Sequence, residues 1–162
     1  MKLILMRHMK SSWDGNTSDH ERPLNPRGRA AAPRLGEWLV GCGHVPDVAL
    51  VSDATRTRET YAGVEPEFTN AMSVIFTRAL YLASPAEILR VIAAHPVEPG
   101  QTLLIIGHNP GIAELASGLA QEAPAHDQFG RYPTGATTVL QFTQEIKPRS
   151  GIVLDFAVPR EL

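Results

Sequence analysis

The sequence predicts a three-layer α/β domain, in which helices cover both faces of a mainly parallel sheet. Short apolar runs alternate along the chain with segments of helical spacing, and clusters of turn residues separate them. The length of 162 residues suits one domain, which at this size buries roughly 70% of its unfolded surface. We therefore predict a single domain over residues 1–162, with no internal repeat and no linker.

The chain begins with a short apolar run at residues 2–6, which is consistent with a buried strand. A polar loop leads to Asn25 and Pro26, a pair typical of a helix start because Asn caps and proline fits the first turn. This helix is predicted to continue to about Gly41. Pro33 lies inside it and is expected to kink the helix or to mark its true start.

The remaining elements follow the same alternation of strand and helix. The clearest strand is the apolar run at 103–106, and Ser84 with Pro85 repeats the helix-start signature. A long loop at 121–135 is expected to be functional or mobile, as loops of this length usually are in compact domains. The full prediction adds strands at 47–51, 73–77, 136–142 and 152–157, and helices at 54–64, 85–94 and 112–120.

Composition and charge exclude several classes of protein. The chain has 17 acidic and 15 basic residues, a net charge of −2, which argues against nucleic acid or an anionic membrane as partner. The single cysteine, Cys42, has no partner for a disulfide within the chain, which favours a reducing compartment. The first apolar run is too short for a signal peptide or a membrane span. We expect a cytoplasmic protein, and the sequence gives no signal of its oligomeric state.

Polar side chains follow three of the predicted strands, where an α/β sheet places its ligands. Arg7 and His8 come after the first strand, Ser52 and then Arg56 after the second, and His108 after the run at 103–106. Guanidinium groups bind phosphoryl oxygens in paired hydrogen bonds, and imidazole is a nucleophile or proton carrier near neutral pH. The sequence therefore predicts a phosphoryl-binding site at this edge.

Each of these features has an ordinary explanation when it stands alone, since arginines in helices are usually solvated and Gly-His-Asn-Pro-Gly could be only a turn. The position of these side chains after three different strands favours a phosphoryl-binding site. The other histidines lie in predicted loops or at helix ends, without the paired spacing of a metal centre, and they are His20, His44, His95 and His126. We predict no metal and no cofactor.

Four motifs in this order resemble the histidine phosphatase superfamily, with its phosphoglycerate mutase-like fold, and within it the SixA-like phosphohistidine phosphatase branch. The resemblance covers residues 2 to about 140. The motifs are MRHMKSSW at 6–13, RPLNPRG at 22–28, SDATRTRET at 52–60 and GHNPG at 107–111.

The resemblance implies that His8 is the nucleophile, which attacks phosphorus and becomes transiently phosphorylated. Arg7, Arg56 and His108 would complete the phosphate pocket. No cofactor is implied, because the arginines supply the charge that magnesium supplies in other phosphoryl-transfer enzymes.

The resemblance also implies roles for residues around this pocket. Ser52 and Thr60 match positions that frame the arginine after the second strand, and we interpret them as structural supports. Ser11 and Thr134 are candidates for substrate binding, the latter in the loop before a late strand. Met9 replaces the glycine that usually follows the nucleophile, which predicts a bulkier rim.

One departure from the superfamily bears on the substrate. Its mutases and phosphomonoesterases place an acidic proton donor soon after the third strand, but residues 78–83 read RALYLA and no carboxylate precedes Glu87. An alkoxide leaving group needs that proton, whereas imidazole leaves once its own ring is protonated. The missing acid therefore favours a substrate with a P–N bond. The resemblance implies phosphohistidine on a protein, such as a histidine-phosphotransfer domain, with a small phosphorylated substrate as the alternative.

Two alternatives remain open. A broad phosphomonoesterase would need Asp14, Asp53 or Glu87 as its acid, and turnover of an alkyl phosphate against phosphohistidine would distinguish the two. A non-catalytic module that binds phosphate or a phosphoprotein is the second alternative. The presence of both His8 and His108 argues against it, because a binder needs charge but no nucleophile.

Overall fold

The computed structural model describes residues 1–162 and contains one six-stranded sheet. Its strands are β1 (Lys2–Arg7), β2 (Val48–Ser52), β3 (Ser73–Thr77), β4 (Thr102–Gly107), β5 (Thr137–Gln141) and β6 (Ile152–Ala157). The strand order is β3-β2-β4-β1-β5-β6. β1 to β4 are mutually parallel, and only β5 runs against its neighbours. The predicted mainly parallel sheet is confirmed.

Four helices cover the two faces of this sheet, and they are α1 (Pro26–Gly41), α2 (Thr55–Val64), α3 (Pro85–Ala94) and α4 (Gly111–Leu119). Alternate residues of β1 enter opposite cores: Leu3 and Leu5 pack with α3 and α4, whereas Ile4 and Met6 pack with α1. This alternation follows from the period of two in a strand. The three-layer architecture is therefore confirmed. No helix combines the length and the apolar character that a membrane crossing requires.

The start of α1 lies where the sequence predicted it. The side chain of Asn25 accepts a hydrogen bond of 2.8 Å from the Gly28 N–H, and Pro26 occupies the first turn. Pro33 lies inside the continuous helix, so the interpretation that it marks the helix start was wrong. Asn25 caps the earlier start and satisfies a terminal N–H there, which fixes the boundary at Pro26.

The long loop before β5 is attached to the sheet through Tyr132. Its side chain is completely buried, and its hydroxyl donates to the Leu5 carbonyl at 2.8 Å and lies 2.7 Å from Thr138 Oγ1. Tyr132 also has a φ of 47°, in the left-handed region that is unfavourable for an aromatic residue. These buried hydrogen bonds hold the strained backbone in place and direct the Tyr132 carbonyl toward the carboxyl edge of the sheet.

Candidate active site

The structure brings Arg7, His8, Arg56 and His108 together at the carboxyl edge of the parallel strands. In the sheet β4 lies between β1 and β2, and Arg7 is paired with Gly107, so His8 and His108 leave adjacent strands side by side. Their ring centroids are 5.3 Å apart. His8, Arg56 and His108 are buried. The side chains after three separate strands therefore form one cluster.

His8 is held in a single tautomer by the backbone. Its Nδ1 lies 2.7 Å from the Met9 carbonyl oxygen, which can only accept, so Nδ1 carries the proton and Nε2 keeps its lone pair. Burial is the largest cause that lowers the pKa of His8 to about 3; the Met9 hydrogen bond opposes it, and the charges of Arg56, Arg7 and Arg22 lower the pKa further. Burial is thus a larger cause than the neighbouring arginines. At neutral pH, His8 presents an unprotonated nitrogen.

The two arginines are each anchored at one end of the guanidinium group. Arg7 Nη1 donates to the Tyr132 carbonyl at 3.0 Å. Arg56 Nη1 donates to the Asp19 carbonyl at 2.7 Å, and its Nη2 donates to Asp19 Oδ2 at 3.1 Å. These bonds fix the direction of both side chains before any substrate arrives.

His108 is anchored in the same way, through Ser52. Its Nε2 lies 2.7 Å from Ser52 Oγ, which also accepts a long contact of 3.4 Å from the Ala54 N–H. When the Ser52 hydroxyl donates to Nε2, the ring proton of His108 lies on Nδ1. Burial is the main cause that lowers the pKa of His108 to about 3. His108 is therefore neutral at neutral pH, and in this tautomer its Nδ1–H is a donor.

Three of the four buried side-chain polar atoms without a hydrogen-bond partner belong to this cluster: Arg7 Nε, Arg56 Nε and His108 Nδ1. An unpaired buried donor costs about 1–3 kcal/mol, so natural proteins keep few of them. Here the three atoms lie on side chains that are anchored through another nitrogen, in the same cluster as the free Nε2 of His8. The arrangement suits a tetrahedral anion with several acceptor oxygens.

Sequence reasoning missed Asp19, which binds Arg56, and Tyr81, which binds Asp19. The Tyr81 hydroxyl donates to Asp19 Oδ2, the same oxygen that Arg56 binds. This hydrogen bond is the largest cause that lowers the pKa of Asp19 to about 2, so Asp19 is an anion at neutral pH. Tyr81 follows β3, and the strand-end rule would have found it had it been applied to that weakly predicted strand.

Arg22 is a further cation near His8, and its guanidinium group hydrogen-bonds to Ser11. Arg22 Nη1 donates to Ser11 Oγ at 2.9 Å, and its Nε donates to Asp19 Oδ1 at 3.1 Å. Its charge contributes to the lowered pKa of His8. The Ser11 hydroxyl thus contacts Arg22 rather than any of the four clustered residues, which makes Ser11 a support for a neighbouring cation.

The backbone after His8 is fixed from two sides. Thr60 Oγ1 accepts from the Met9 N–H at 2.9 Å and donates to the Arg56 carbonyl at 2.7 Å. The Gly135 N–H lies 3.1 and 3.0 Å from the carbonyl oxygens of Arg7 and His8. Thr134, one residue earlier, makes no side-chain hydrogen bond to the cluster and lines a groove together with Met9.

The three carboxylates considered as alternative acids are placed elsewhere. Glu87 accepts from the Ser84 N–H at 2.7 Å in a helix cap, and Asp53 Oδ1 lies 2.7 Å from His20 Nε2. Asp14 is exposed. None of them hydrogen-bonds to the cluster. The structure also has no group of three or more His, Cys, Asp or Glu side chains that could hold a metal ion.

We expect the two clustered histidines to stay neutral through mild acid. Burial lowers the pKa of His8 and His108 to about 3, whereas hydrogen bonds to Asp53 and Glu21 raise the pKa of His20. In an NMR titration from about pH 8 to about pH 5, the ring signals of His20 should shift and those of the other two should not.

The lowered pKa values of His8 and His108 also make the stability of the fold depend on pH. Between 6.5 and about 3 the unfolded chain binds protons at His8 and His108 that the folded chain does not bind. The free energy of unfolding should therefore fall as pH drops through this window. A His8 signal that titrates near its ordinary pKa in the folded protein would contradict the buried, neutral assignment.

Comparison with known proteins places these features in a family context. The profile of the histidine phosphatase superfamily (branch 1) matches residues 3–80. An uncharacterized protein of Mycobacterium tuberculosis is 32% identical over 96% of this chain and 100% of the relative. An uncharacterized chloroplastic protein of Arabidopsis thaliana is 34% identical over 74% of this chain, which corresponds to 59% of that longer relative.

Solved structures extend the likeness over the whole fold. A protein from Nakamurella multipartitia, provisionally assigned as the phosphohistidine phosphatase SixA, superposes with a TM-score of 0.82 and 30% identity, covering 98% of this chain and 95% of that one. A protein histidine phosphatase SixA complexed with tungstate gives a TM-score of 0.80 at 22% identity, with 99% of both chains covered. The second likeness concerns the fold alone.

Proposed function

The chain belongs to the histidine phosphatase superfamily, and we propose that it removes the phosphoryl group from phosphohistidine on proteins. Membership in the family supports phosphatase activity in general. The proposal concerns the substrate and the nucleophile, which is His8. The structure from Nakamurella multipartitia, at 30% identity, is assigned provisionally to a phosphohistidine phosphatase, and this supports the substrate class.

The observation that carries the proposal is the set of three unpaired donors beside the free Nε2 of His8. Arg7 Nε, Arg56 Nε and His108 Nδ1 can each donate to a phosphoryl oxygen. Phosphoryl transfer requires mainly such positioning and neutralisation of charge on the equatorial oxygens. Because the donors are already anchored, little reorganisation is needed when the transition state forms.

In the first step, His8 Nε2 attacks phosphorus. The new P–Nε2 bond forms while the P–N bond of the substrate breaks, and the electron pair of that bond returns to the leaving imidazole. The leaving ring accepts its proton on the nitrogen that does not carry phosphorus, before or during departure. Arg7, Arg56 and His108 hold the same three oxygens throughout.

In the second step, water attacks phosphorus and the P–Nε2 bond breaks. The electron pair returns to His8 Nε2, the water loses a proton to solvent or phosphate, and inorganic phosphate leaves. The hydrogen bond to the Met9 carbonyl keeps the proton on His8 Nδ1 through both steps, so the free ring ends in the tautomer with which it began.

The protonation state of Asp19 supports a substrate with a P–N bond over an alkyl phosphate ester. The pKa of Asp19 lies at about 2, because the Tyr81 hydroxyl and the arginines stabilise its anion, so it has no proton to give at neutral pH. An alkoxide needs such a proton, and imidazole does not. The site is thus suited to a leaving group that carries its own proton.

The direct test is phosphate release from a phosphohistidine peptide in the presence of EDTA. We expect release at the same rate with and without the chelator, because arginine donors neutralise the phosphoryl group in this site. A peptide with phosphoserine in place of phosphohistidine serves as the matched control and should be hydrolysed far more slowly. Loss of activity in EDTA that a divalent ion restores, or equal rates on the two peptides, would contradict the proposal.

A further inference from the structure

Beside the phosphoryl pocket lies a groove of about 480 Å³ that the mechanism does not use. Its walls are the first half of α1, the loop after β1, the loop before β5 and the C-terminal turn Pro159–Glu161. Four cations line it, namely Lys10, Arg27, Arg34 and Arg160, and no carboxylate does. This set is the cationic groove.

The four cations of the groove have no partner within the chain. All four side chains are exposed, and none of them makes an ion pair or a side-chain hydrogen bond. Arg29, on the same helix, contrasts with them because its guanidinium lies 3.7 Å from the Glu59 carboxylate. In a chain with a net charge of −2, this groove is a local concentration of uncompensated positive charge.

The cationic groove is continuous with the backbone that holds the nucleophile. Met9, which follows His8 in the chain, lines the groove, and so does Thr134. Gly135 donates its N–H to the His8 carbonyl at 3.0 Å, so the groove wall and the His8 loop form one hydrogen-bonded unit. A chain seated in the groove therefore lies within a few residues of the phosphoryl pocket, at roughly 3.3 Å per residue.

We propose that this groove binds an acidic segment of the phosphorylated protein substrate, next to the side chain that is dephosphorylated. The proposal rests on the function proposed above. Cations form the rim, while Met9, Val158 and Pro159 form an apolar part of the wall. This combination fits a polypeptide whose Asp and Glu side chains pair with the rim while its apolar groups contact the wall.

The test uses a short fluorescent peptide rich in Asp and Glu without any phosphate, and a matched peptide with Asn and Gln. We expect the acidic peptide to bind the wild type, and its binding to weaken about tenfold or more in Arg27→Gln/Arg34→Gln and to weaken as salt rises. Arg29→Gln is the matched control and should bind like the wild type. Turnover of an aryl phosphate should be unchanged in all three proteins.

Several results would overturn the proposal. These are equal binding of the acidic peptide to the double variant, equal binding of the neutral peptide, or tighter binding of a single-stranded oligonucleotide, which would assign the groove to nucleic acid. Because the peptide carries no phosphate, its binding is independent of catalysis. A protein that binds the acidic peptide in the groove but does not hydrolyse phosphohistidine would retain the groove as a binding site for acidic segments and would refute the proposed function.

Discussion

Replacement of His8 by alanine is expected to abolish turnover, with a loss of about 10⁴-fold or more, as is seen when a nucleophile is removed from an enzyme. The hydrogen bond to the Met9 carbonyl leaves a lone pair on His8 Nε2, whereas His108 Nε2 is engaged by Ser52. The measurement is the rate of phosphate release from a phosphohistidine peptide, together with trapping of the phosphoenzyme after a brief incubation with radiolabelled substrate.

The trap requires an alkaline denaturing quench, because a phosphorylated imidazole is hydrolysed in acid. We expect label on the wild type and none on His8→Ala. The variant should still fold, since the His8 side chain makes one hydrogen bond within the protein. His44→Ala is the matched control: His44 is as deeply buried and lies 2.6 Å from Asp155, but it is remote from the cluster, so the variant should keep its label and its activity. Label on His8→Ala, or full turnover by it, would refute the covalent mechanism.

The second large effect is expected in the choice of leaving group. General acid catalysis typically contributes about 10²- to 10⁴-fold to the rate. A site without a protonated carboxylate should therefore hydrolyse substrates that depend on such an acid more slowly by that factor. Phosphohistidine, or an aryl phosphate whose phenolate leaves unaided, should therefore be hydrolysed far faster than a sugar phosphate. The measurement is kcat/KM for the three substrates at one pH.

The same comparison identifies an acid if there is one. Equal or better rates on the alkyl phosphate would make the protein a phosphomonoesterase and would require a carboxylate that moves into the pocket. Asp14→Asn, Asp53→Asn and Glu87→Gln would then locate it, because only the variant of the true acid would lose the alkyl activity and keep the aryl activity. If all rates on the alkyl phosphate remain low, the P–N assignment stands.

The sequence alone was enough to predict that the four residues cluster, because each of them follows an apolar strand. The carboxyl ends of parallel strands meet at one edge of the sheet. The position of a residue directly after a strand therefore predicts that it joins the group of Arg7, His8, Arg56 and His108. Ser11 and Thr134 show the limit of this reasoning. They were chosen by motif, and the structure places the Ser11 hydroxyl on Arg22 and Thr134 in the cationic groove.

The contacts that hold Arg7 and Asp19 come from loops that reach the site from far along the chain. Tyr132 supplies its carbonyl to Arg7 across 125 residues, and Tyr81 reaches Asp19 across 62. No periodicity marks such contacts, since they depend on how distant segments pack and not on the pattern within either one. The same holds for the groove, whose four cations lie on three separate segments.

By itself the sequence determined the fold class, the positions of the strands and helices, and the four side chains at the sheet edge. These are local properties, since hydrophobic periods of two and 3.6 residues and proline caps depend on near neighbours in the chain. Only the tertiary structure decided the strand order, the tautomer of His8, the anchoring of the arginines by Tyr132 and Asp19, and the neutrality of both histidines. Those depend on burial and on long-range contacts, which exist only once the layers have packed.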